Sequence, residues 1–276
     1  MFKLLYQEKA FDLIALVLKI GGPRLAFAVS KALHLPSIST VHNRLNLPQL
    51  LPSIGFPTRD EILKNIESFF GSNTAQFSSR PKTGVSLMID EVAIEPRPRY
   101  DSNQDAVVGI CREHANGDAL QHLSTRNDSL NTLLDTQASL DAGACHRATE
   151  ATMAAIAHFG QSNYNPAVIL ASGTCKTEKT GDQTRWIDLL LNCWKESPHG
   201  EAVHGDIWSI CTDGDSKRRR ALFQLCMSST LPESSDLFHL LGHLPLLNLC
   251  CGPTQITHDG DYKHEEKSKP NICIIS

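Results

Sequence analysis

The amino-acid sequence predicts a mixed α/β fold, preceded by a small helical region. Three observations predict this fold. An apolar strand at 85–94 carries an acidic pair in its middle, and a second apolar strand at 206–212 ends on an aspartate. An amphipathic helix is expected at 184–194 and a further helix at 216–227. An ionised acid inside an apolar strand is costly unless it is paired or bound to a cation, so these strands also indicate where a functional site would lie.

Composition places the chain among globular proteins. Of its 276 residues, 41% are hydrophobic and 20% are charged. The best candidate for a membrane span, residues 11–20, is too short and contains Asp12 and Lys19, so we expect no membrane association. An odd count of nine cysteines without the close spacing of a disulfide framework, in a chain with no secretory pattern, predicts reduced thiols in the nucleus or cytoplasm. The net charge of −4 neither supports nor excludes a nucleic-acid partner.

Residues 1–70 are predicted to be helical. Gly21-Gly22-Pro23 ends a first helix, a second helix runs from 23 to about 35, and Ser37 or Ser39 caps a third short helix that continues through residue 44. This outline is that of a helix-turn-helix, although a small helical packing domain has the same spacing. A helix-turn-helix here would present three residues to the DNA groove: His42, Asn43 and Arg44.

The remaining segments predict the domain organisation. Thr58 and Glu61 form a capping-box pattern that predicts a helix over 58–70. Residues 71–84 are rich in Ser, Asn, Thr and Gly, which is typical of a linker. An α/β core is then expected over 85–264, and residues 265–276 are predicted to be a disordered or non-native tail.

The order of strands in the core predicts its topology. Strands are expected at 85–94, 107–111, 167–172 and 206–212, with a helix at 144–159 and an irregular insertion at 115–143. The first three strands can form a meander, after which a helical crossover returns the fourth strand parallel to the first. RNase H-like domains, which are mixed sheets with flanking helices, have this order. They carry one acid in the first strand and another at the end of the fourth, where Asp90 and Asp213 lie here.

Asp90 and Asp213 are the candidate catalytic and metal-binding residues. Neighbouring strands lie about 4.8 Å apart, so carboxylates on them can share a Mg²⁺ or Mn²⁺ ion, and pairs of such ions support phosphoryl transfer. Asp215 and Asp261 are further candidate ligands. The alternatives are structural: Asp90 in an edge-strand salt bridge, and Asp213 in a strand-to-helix turn that Asp215 or Ser216 caps.

Several segments resemble P-element-type and THAP-domain DDE transposases. Residues 87–91 and 108–109 resemble their first-acid segment, 209–216 resembles their second-acid segment, 35–40 resembles part of their helix-turn-helix, and Asp261 with His264 matches their Asp-x2-His motif. The run from Leu87 is also similar to an uncharacterised transposon-derived group in fungi, with Arg-Glu-His at 112–114 and Gly-Thr-Cys-Lys at 173–176. The resemblance implies metal-dependent DNA strand cleavage and transfer, with DNA as the partner and a homo-oligomer as a further expectation.

The sequence departs from that family at three points. It has no amino-terminal zinc finger, a Lys/Glu-rich segment at 265–270 replaces a basic helix, and the third acid of the family, a glutamate on a later helix, has no counterpart. Glu265 or Glu266 could imitate that acid, although such a charged tail is more typical of a solvated face. We therefore expect a truncated and catalytically inactive remnant of a transposase core.

The cysteines and histidines of the chain do not predict a zinc site. Cys111-x2-His114 and Cys145-His146 come nearest to a zinc ligand set, but a long polar gap divides them and no second C-x2-C follows, so no zinc is expected. The chain could instead be a DNA-binding or partner-binding module that uses its helical region, with the α/β domain as scaffold. It could also be a different metal-dependent nuclease with a complete site.

The helix-turn-helix hypothesis makes a direct prediction for Arg44. Arginine is suited to guanine edges, so Arg44→Ala should weaken binding to duplex DNA at low salt, measured by fluorescence anisotropy over a salt titration. Lys9→Ala, which removes a positive charge outside the segment, is the control. If the unsubstituted chain shows no salt-dependent affinity for a duplex, the region is a packing domain instead.

Overall fold

The computed structural model describes residues 6–44, 49–71, 84–101, 104–115, 129–160, 166–245, 247–252 and 256–260. The chain divides into two compact units, Met1–Pro48 and Gln49–Ser276. The first unit contains helices α1 (Glu8–Ala32) and α2 (Ile38–Arg44). Four residues named from the sequence lie outside the described residues: Asp261, His264, Glu265 and Glu266.

The first unit follows the turn signals in its sequence. Gly22 has a φ of 74° inside α1, so a kink divides this helix next to Pro23. At the start of α2, the Ser37 hydroxyl accepts a hydrogen bond from the Thr40 backbone N–H at 3.2 Å, which is the capping that the sequence predicts. The buried apolar cluster of this unit joins both helices: Phe11, Ile14 and Val41.

α1 also meets a simple criterion for a membrane span. It has 25 residues and contains a window with a mean hydropathy of 1.6, of which 17% is buried. By length and composition alone such a helix could cross a membrane. Core helices and signal sequences meet the same criterion, so the expectation of no membrane partner stays a prediction.

The second unit is built around a five-stranded sheet. Its strands are β1 (Val85–Ala93), β2 (Arg99–Asp101), β3 (Ala106–Val108), β4 (Glu150–His158), β5 (Ala167–Thr174), β6 (Ile207–Thr212), β7 (Ser229–Thr230), β8 (Cys250–Cys251) and β9 (Thr257–Gly260). Its helices are α3 (Arg59–Phe70), α4 (Ser129–Asp141), α5 (Thr180–Glu196), α6 (Glu201–His204), α7 (Ser216–Cys226) and α8 (Asp236–Leu241). The main sheet has the order β5–β4–β1–β6–β9.

The strand directions in this sheet establish the fold class. β4 runs antiparallel to both β1 and β5, which forms a meander. β6 runs parallel to both β1 and β9. The predicted fold class is confirmed: this is a mixed α/β sheet with flanking helices, and an antiparallel meander followed by parallel strands is the RNase H-like arrangement.

The main core lies between the sheet and helices α3, α5 and α7. The amphipathic spacing predicted for 184–194 points the apolar side chains of α5 at the sheet. The helix predicted at 216–227 forms α7, which buries Ala221, Leu222 and Cys226. Each large apolar side chain buried in this way contributes about 1.5–3 kcal/mol. The buried residues of this core come from the sheet and from the three helices, and eight of them are Ile62, Ile66, Leu87, Ile89, Trp186, Leu190, Trp194 and Leu222.

α3 belongs to this core. The capping box of Thr58 and Glu61 is present, as predicted. The Asn65 carboxamide donates a hydrogen bond to the Ile169 carbonyl of β5 at 3.1 Å, which ties α3 to the sheet edge. The division between the two compact units precedes α3, whereas residues 1–70 were predicted to form one helical region. A capping box predicts that a helix forms, but it does not indicate which core the apolar face of that helix joins.

Three expectations for the middle of the chain are wrong. Residues 144–159 were expected to be helical, but β4 lies there, because pairing with β1 and β5 on both sides overrides the helix propensity of its alanines. The strand expected at 107–111 contributes β3, which pairs with β2 in a separate small sheet. The second strand of the meander is therefore β4, which pairs with β1 and β5, and not the strand expected at 107–111. Part of the insertion expected at 115–143 is helical, as α4.

The buried His204 of α6 contacts His158 at the end of β4. His204 Nδ1 lies 2.9 Å from His158 Nε2, and the His204 ring packs edge-on against Phe70 at a centroid distance of 4.9 Å. Burial, together with the nearby His158 and His199, lowers the pKa of His204 from 6.5 to about 4. The fold therefore selects the neutral imidazole.

This pKa shift predicts loss of stability in mild acid. A depressed folded-state pKa contributes stability that is complete above 6.5 and is lost as pH falls towards about 4. We expect the free energy of unfolding to fall by about 1 kcal/mol per pH unit in that window through His204. Urea titrations at several pH values check this. His204→Gln should flatten the slope and the exposed His42→Gln should not, so equal slopes in both variants would contradict the assignment.

Candidate metal centre and buried ion pairs

Asp90 and Asp213 lie together at one end of the main sheet. Asp90 is in β1, and Asp213 directly follows β6. The two strands pair in parallel with Ile89 opposite Thr212, so the next residue on each strand is one of the two acids. Carboxylate oxygens of Asp90, Glu91 and Asp213 lie within 4.8 Å of one another. The predicted convergence of the acids is thus present, while their catalytic and metal-binding roles stay predictions.

Glu91 joins the two predicted acids from the opposite face of β1. Its carboxylate accepts hydrogen bonds from both terminal nitrogens of Arg218, with Nη1 at 3.0 Å from Oε2. The side chains of Arg218 and Glu91 are 3% and 8% exposed. Burial alone would lower the pKa of Arg218, but the hydrogen bond and charge of Glu91 raise it above its usual value. Arg218 therefore stays charged and neutralises Glu91.

Arg218 also contacts the end of β6. Its Nη1 donates to Thr212 Oγ1 at 3.2 Å and lies 3.5 Å from Asp213 Oδ1. The Asp215 carboxylate accepts the Arg218 backbone N–H at 2.9 Å and caps α7. This capping role is the structural alternative weighed for Asp215 from the sequence. Asp215 is not one of the acids that converge within 4.8 Å among the described residues, and its role as a ligand stays a prediction.

A second buried ion pair continues the network. Arg112 donates to both carboxylate oxygens of Glu178, at 2.9 and 2.7 Å, and both side chains are 2% exposed. Trp186 Nε1 also donates to Glu178, at 3.2 Å. Arg112 Nη1 donates to Thr152 Oγ1 at 2.9 Å, and that hydroxyl donates to Glu91 at 3.1 Å. Hydrogen bonds therefore run without a break from Glu178 to the candidate metal centre.

Lysines and acids share one cavity at this centre. Its lining includes Glu91, Asp213, Lys176 and Lys217. Lys176 Nζ lies 2.7 Å from the Glu150 carboxylate, and this hydrogen bond raises the pKa of Lys176. Lys217 Nζ donates to the Lys176 carbonyl at 3.2 Å. The cavity thus presents carboxylates, which suit a cation, beside ammonium groups, which suit a phosphate.

The residues predicted to contact DNA all lie in α2. His42 is exposed. The Arg44 guanidinium lies over the Phe11 ring, 4.2 Å from its centroid, so at least part of this side chain packs within its own unit. The side chain of Asn43 is outside the described part of the chain. Contact with DNA by these residues stays a prediction.

A second group of metal-ligand side chains lies apart from the acids. Cys111, His114, His146 and Cys175 each offer one ligand atom, and these atoms lie within 4.8 Å of one another. No zinc was expected from the sequence, because a long gap separates the two Cys/His pairs. The fold closes that gap: the Cys111 backbone N–H donates to the His146 carbonyl at 3.0 Å. The group could hold zinc, so the reason for excluding zinc no longer stands.

Sequence reasoning missed the role of Arg218. Arg218 lies in the run of four basic residues Lys217–Arg220, and the local sequence does not indicate which of the four is buried. A signal was nevertheless present, because Arg218 shares helical spacing with the buried Ala221 and Leu222 of α7. Cys175 was missed as a partner of Cys111 because the two are distant in sequence and only strand pairing brings them together.

Comparisons with known proteins add little to this geometry. No family model and no curated protein matches the chain. A solved structure of the Drosophila P element transposase strand transfer complex matches with 14% identity and a TM-score of 0.38, over 83% of this chain and 38% of that chain. This chain thus spans well under half the length of that transposase. A likeness at this score assigns neither fold nor activity, and the fold class is based on the strand order.

The buried position of Arg218 predicts a large effect on stability. Arg218→Met leaves Glu91 as an unpaired buried carboxylate, which should lower the free energy of unfolding by about 3–5 kcal/mol. The exposed neighbour Arg219→Met is the matched control and should change it by no more than about 0.5 kcal/mol. Urea unfolding followed by circular dichroism measures both. Similar small effects in the two variants would show that Arg218 is solvated.

Proposed function

We propose that residues 49–260 form a transposase-derived, RNase H-like core that binds DNA and holds a divalent cation at Asp90 and Asp213 without completing strand cleavage. The observation that carries this proposal is the convergence of Asp90, Glu91 and Asp213 within 4.8 Å at the end of two parallel strands. The order of strands in the sheet supports it, as does the resemblance of the segments around both aspartates to DDE transposases.

The donor set fits magnesium or manganese. Both ions prefer oxygen ligands, and Asp90 is exposed while Asp213 is partly buried, so an ion from solvent can reach both carboxylates. A bound ion would supply activation of an attacking oxygen and stabilisation of a leaving one. In this proposal Asp90 and Asp213 bind the ion, whereas Glu91 forms an ion pair with Arg218.

Arg218 limits what this centre can do. Its guanidinium pairs with Glu91 and lies 3.5 Å from Asp213, so a fixed positive charge already occupies part of the space that favours a metal ion. The negative charge that attracts the ion is reduced accordingly. Phosphoryl transfer depends on positioning and charge stabilisation. We therefore propose weak ion binding and no detectable cleavage.

Nearby cations supply the proposed contacts with DNA. Lys176 and Lys217 line the cavity of the metal centre, and Arg219 and Arg220 are exposed on α7. Lysine and arginine contacts to phosphate position nucleic acid without reading its sequence. Their contribution to affinity falls as salt rises. A homo-oligomer and a nuclear or cytoplasmic location remain expectations from the sequence.

A second candidate function is a DNA-binding or protein-binding module with the α/β unit as scaffold. The buried pair of Arg218 and Glu91 favours this alternative, because it uses an acid of the centre for stability rather than for an ion. The two functions differ in whether a divalent cation binds at Asp90 and Asp213.

Titration with Mn²⁺, followed by electron paramagnetic resonance, separates the two functions. Asp90→Asn and Asp213→Asn should each weaken Mn²⁺ binding at least about tenfold, which corresponds to about 1.4 kcal/mol. Asp188→Asn, an exposed aspartate of α5, is the control and should leave affinity unchanged. If the unsubstituted chain binds no Mn²⁺, only the scaffold function remains.

Incubation with supercoiled plasmid tests the absence of cleavage. We expect the plasmid to stay intact in Mg²⁺ and in Mn²⁺, because the guanidinium of Arg218 opposes the charge stabilisation that the reaction needs. Cleavage that disappears in both Asp90→Ala and Asp213→Ala would contradict this expectation and would identify an active nuclease with a complete site.

A further inference from the structure

Four side chains of zinc-ligand type meet at the end of the sheet where β4 begins and β5 ends. Cys111 and His114 follow β3, His146 precedes β4, and Cys175 follows β5. Each offers one ligand atom, and the four atoms lie within 4.8 Å of one another. Three separate segments of the chain therefore converge on one point, with two sulfur and two nitrogen donors.

The distances within this group match a tetrahedral centre. Zinc bonds of about 2.3 Å to sulfur and about 2.0–2.1 Å to nitrogen, at tetrahedral angles, place a sulfur and a nitrogen ligand about 3.6 Å apart. His114 Nδ1 lies 3.2 Å from Cys111 Sγ and 3.5 Å from Cys175 Sγ. The rings of His114 and His146 have centroids 3.8 Å apart, and one nitrogen of each ring lies within 4.8 Å of the other and of both sulfurs.

We propose that Cys111, His114, His146 and Cys175 bind one structural zinc ion. Two thiolates and two imidazoles form a closed four-ligand set, which is typical of structural rather than catalytic zinc. Two thiolates also balance the charge of the ion, which favours binding at this partly buried place. Thiolate ligands select zinc over magnesium, so this site would not compete with the oxygen donors of Asp90 and Asp213.

The backbone around the ligands holds them in place. The Arg112 N–H donates to the Gly173 carbonyl at 2.9 Å, and the Glu113 carboxylate accepts the Cys175 N–H at 3.2 Å and the Thr174 hydroxyl. A Cβ on Gly173 would lie 2.9 Å from the Ile110 carbonyl oxygen, so the two segments approach more closely than a larger residue allows. The ligands are therefore positioned by strand and loop contacts, which lowers the entropic cost of metal binding.

The proposed zinc would fix one wall of the candidate metal centre. Cys175 is followed by Lys176, which has a φ of 63° and lines the cavity that contains Asp213. Anchoring Cys175 to the segments at 111–114 and 146 would hold this turn at the end of β5. The zinc site itself does not depend on the proposed function, because its ligands and their geometry are independent of the acids.

Metal analysis of the untagged full-length chain tests the proposal. Inductively coupled plasma mass spectrometry should find about one equivalent of zinc, as a closed four-ligand site requires. Cys175→Ser and His114→Ala should lose most of this zinc. Cys145→Ser, next to His146 in sequence, and the exposed Cys250→Ser are matched controls that should retain it. Co²⁺ substitution should give the thiolate-to-metal absorption of a tetrahedral site in the unsubstituted chain and in both controls.

Two results would overturn the proposal. One is a chain that is purified without zinc and binds neither added Zn²⁺ nor added Co²⁺. A disulfide between Cys111 and Cys175, detected by alkylation and mass spectrometry, would count as the same result. The other is full retention of zinc in both Cys175→Ser and His114→Ala. Because metal content and Co²⁺ absorption of the unsubstituted chain are measured first, the test holds even where a variant fails to fold. Mn²⁺ binding at Asp90 is measured separately, so failure of one site is distinguishable from failure of the other.

Discussion

The structure of the second unit depends on one chain of buried, charge-assisted hydrogen bonds. It runs from Glu178 through Arg112 and Thr152 to Glu91, and ends on Arg218. These residues come from five different segments, so the network fixes the loop after β3, the turn before α5, and α7 against the centre of the sheet. Buried charges of this kind are tolerated only when every one is paired. Removal of one partner therefore affects all of the elements that meet there.

This network also decides what the candidate metal centre contains. The side chains of Asp90 and Glu91 lie on opposite faces of β1, and Glu91 lies on the face that α7 covers. A buried carboxylate needs a cation, and Arg218 supplies it. The exposed Asp90 and the partly buried Asp213 are left as the carboxylates that solvent ions can reach. Packing of a helix on one face of the sheet thus pairs one of three neighbouring acids with Arg218 and leaves the other two accessible to solvent.

Two donor sets of different chemistry adjoin at the same end of the sheet. The acids provide hard oxygen ligands, and the Cys/His group provides sulfur and nitrogen ligands. The acids come from the second half of β1 and from the residue after β6, and the thiols and imidazoles come from the loop after β3, the residues before β4 and the residue after β5. Lys176, at the turn after β5, belongs to the surroundings of both. An ion of one kind is therefore not expected to substitute for the other.

The sequence by itself determined the features that local patterns encode. Apolar runs specified β1, which contains Asp90, and β6, which Asp213 follows. The capping box specified α3, amphipathic spacing specified α5, and a helix was also expected where α7 lies. Only the tertiary structure decided that the alanine-rich segment at 150–158 is a strand, since its two neighbours supply the pairing that propensity does not. It also decided that Arg218 turns inward and that Cys175 meets Cys111. The physical reason is that partners distant in sequence leave no local period, so they become apparent only when the strands that carry them pair.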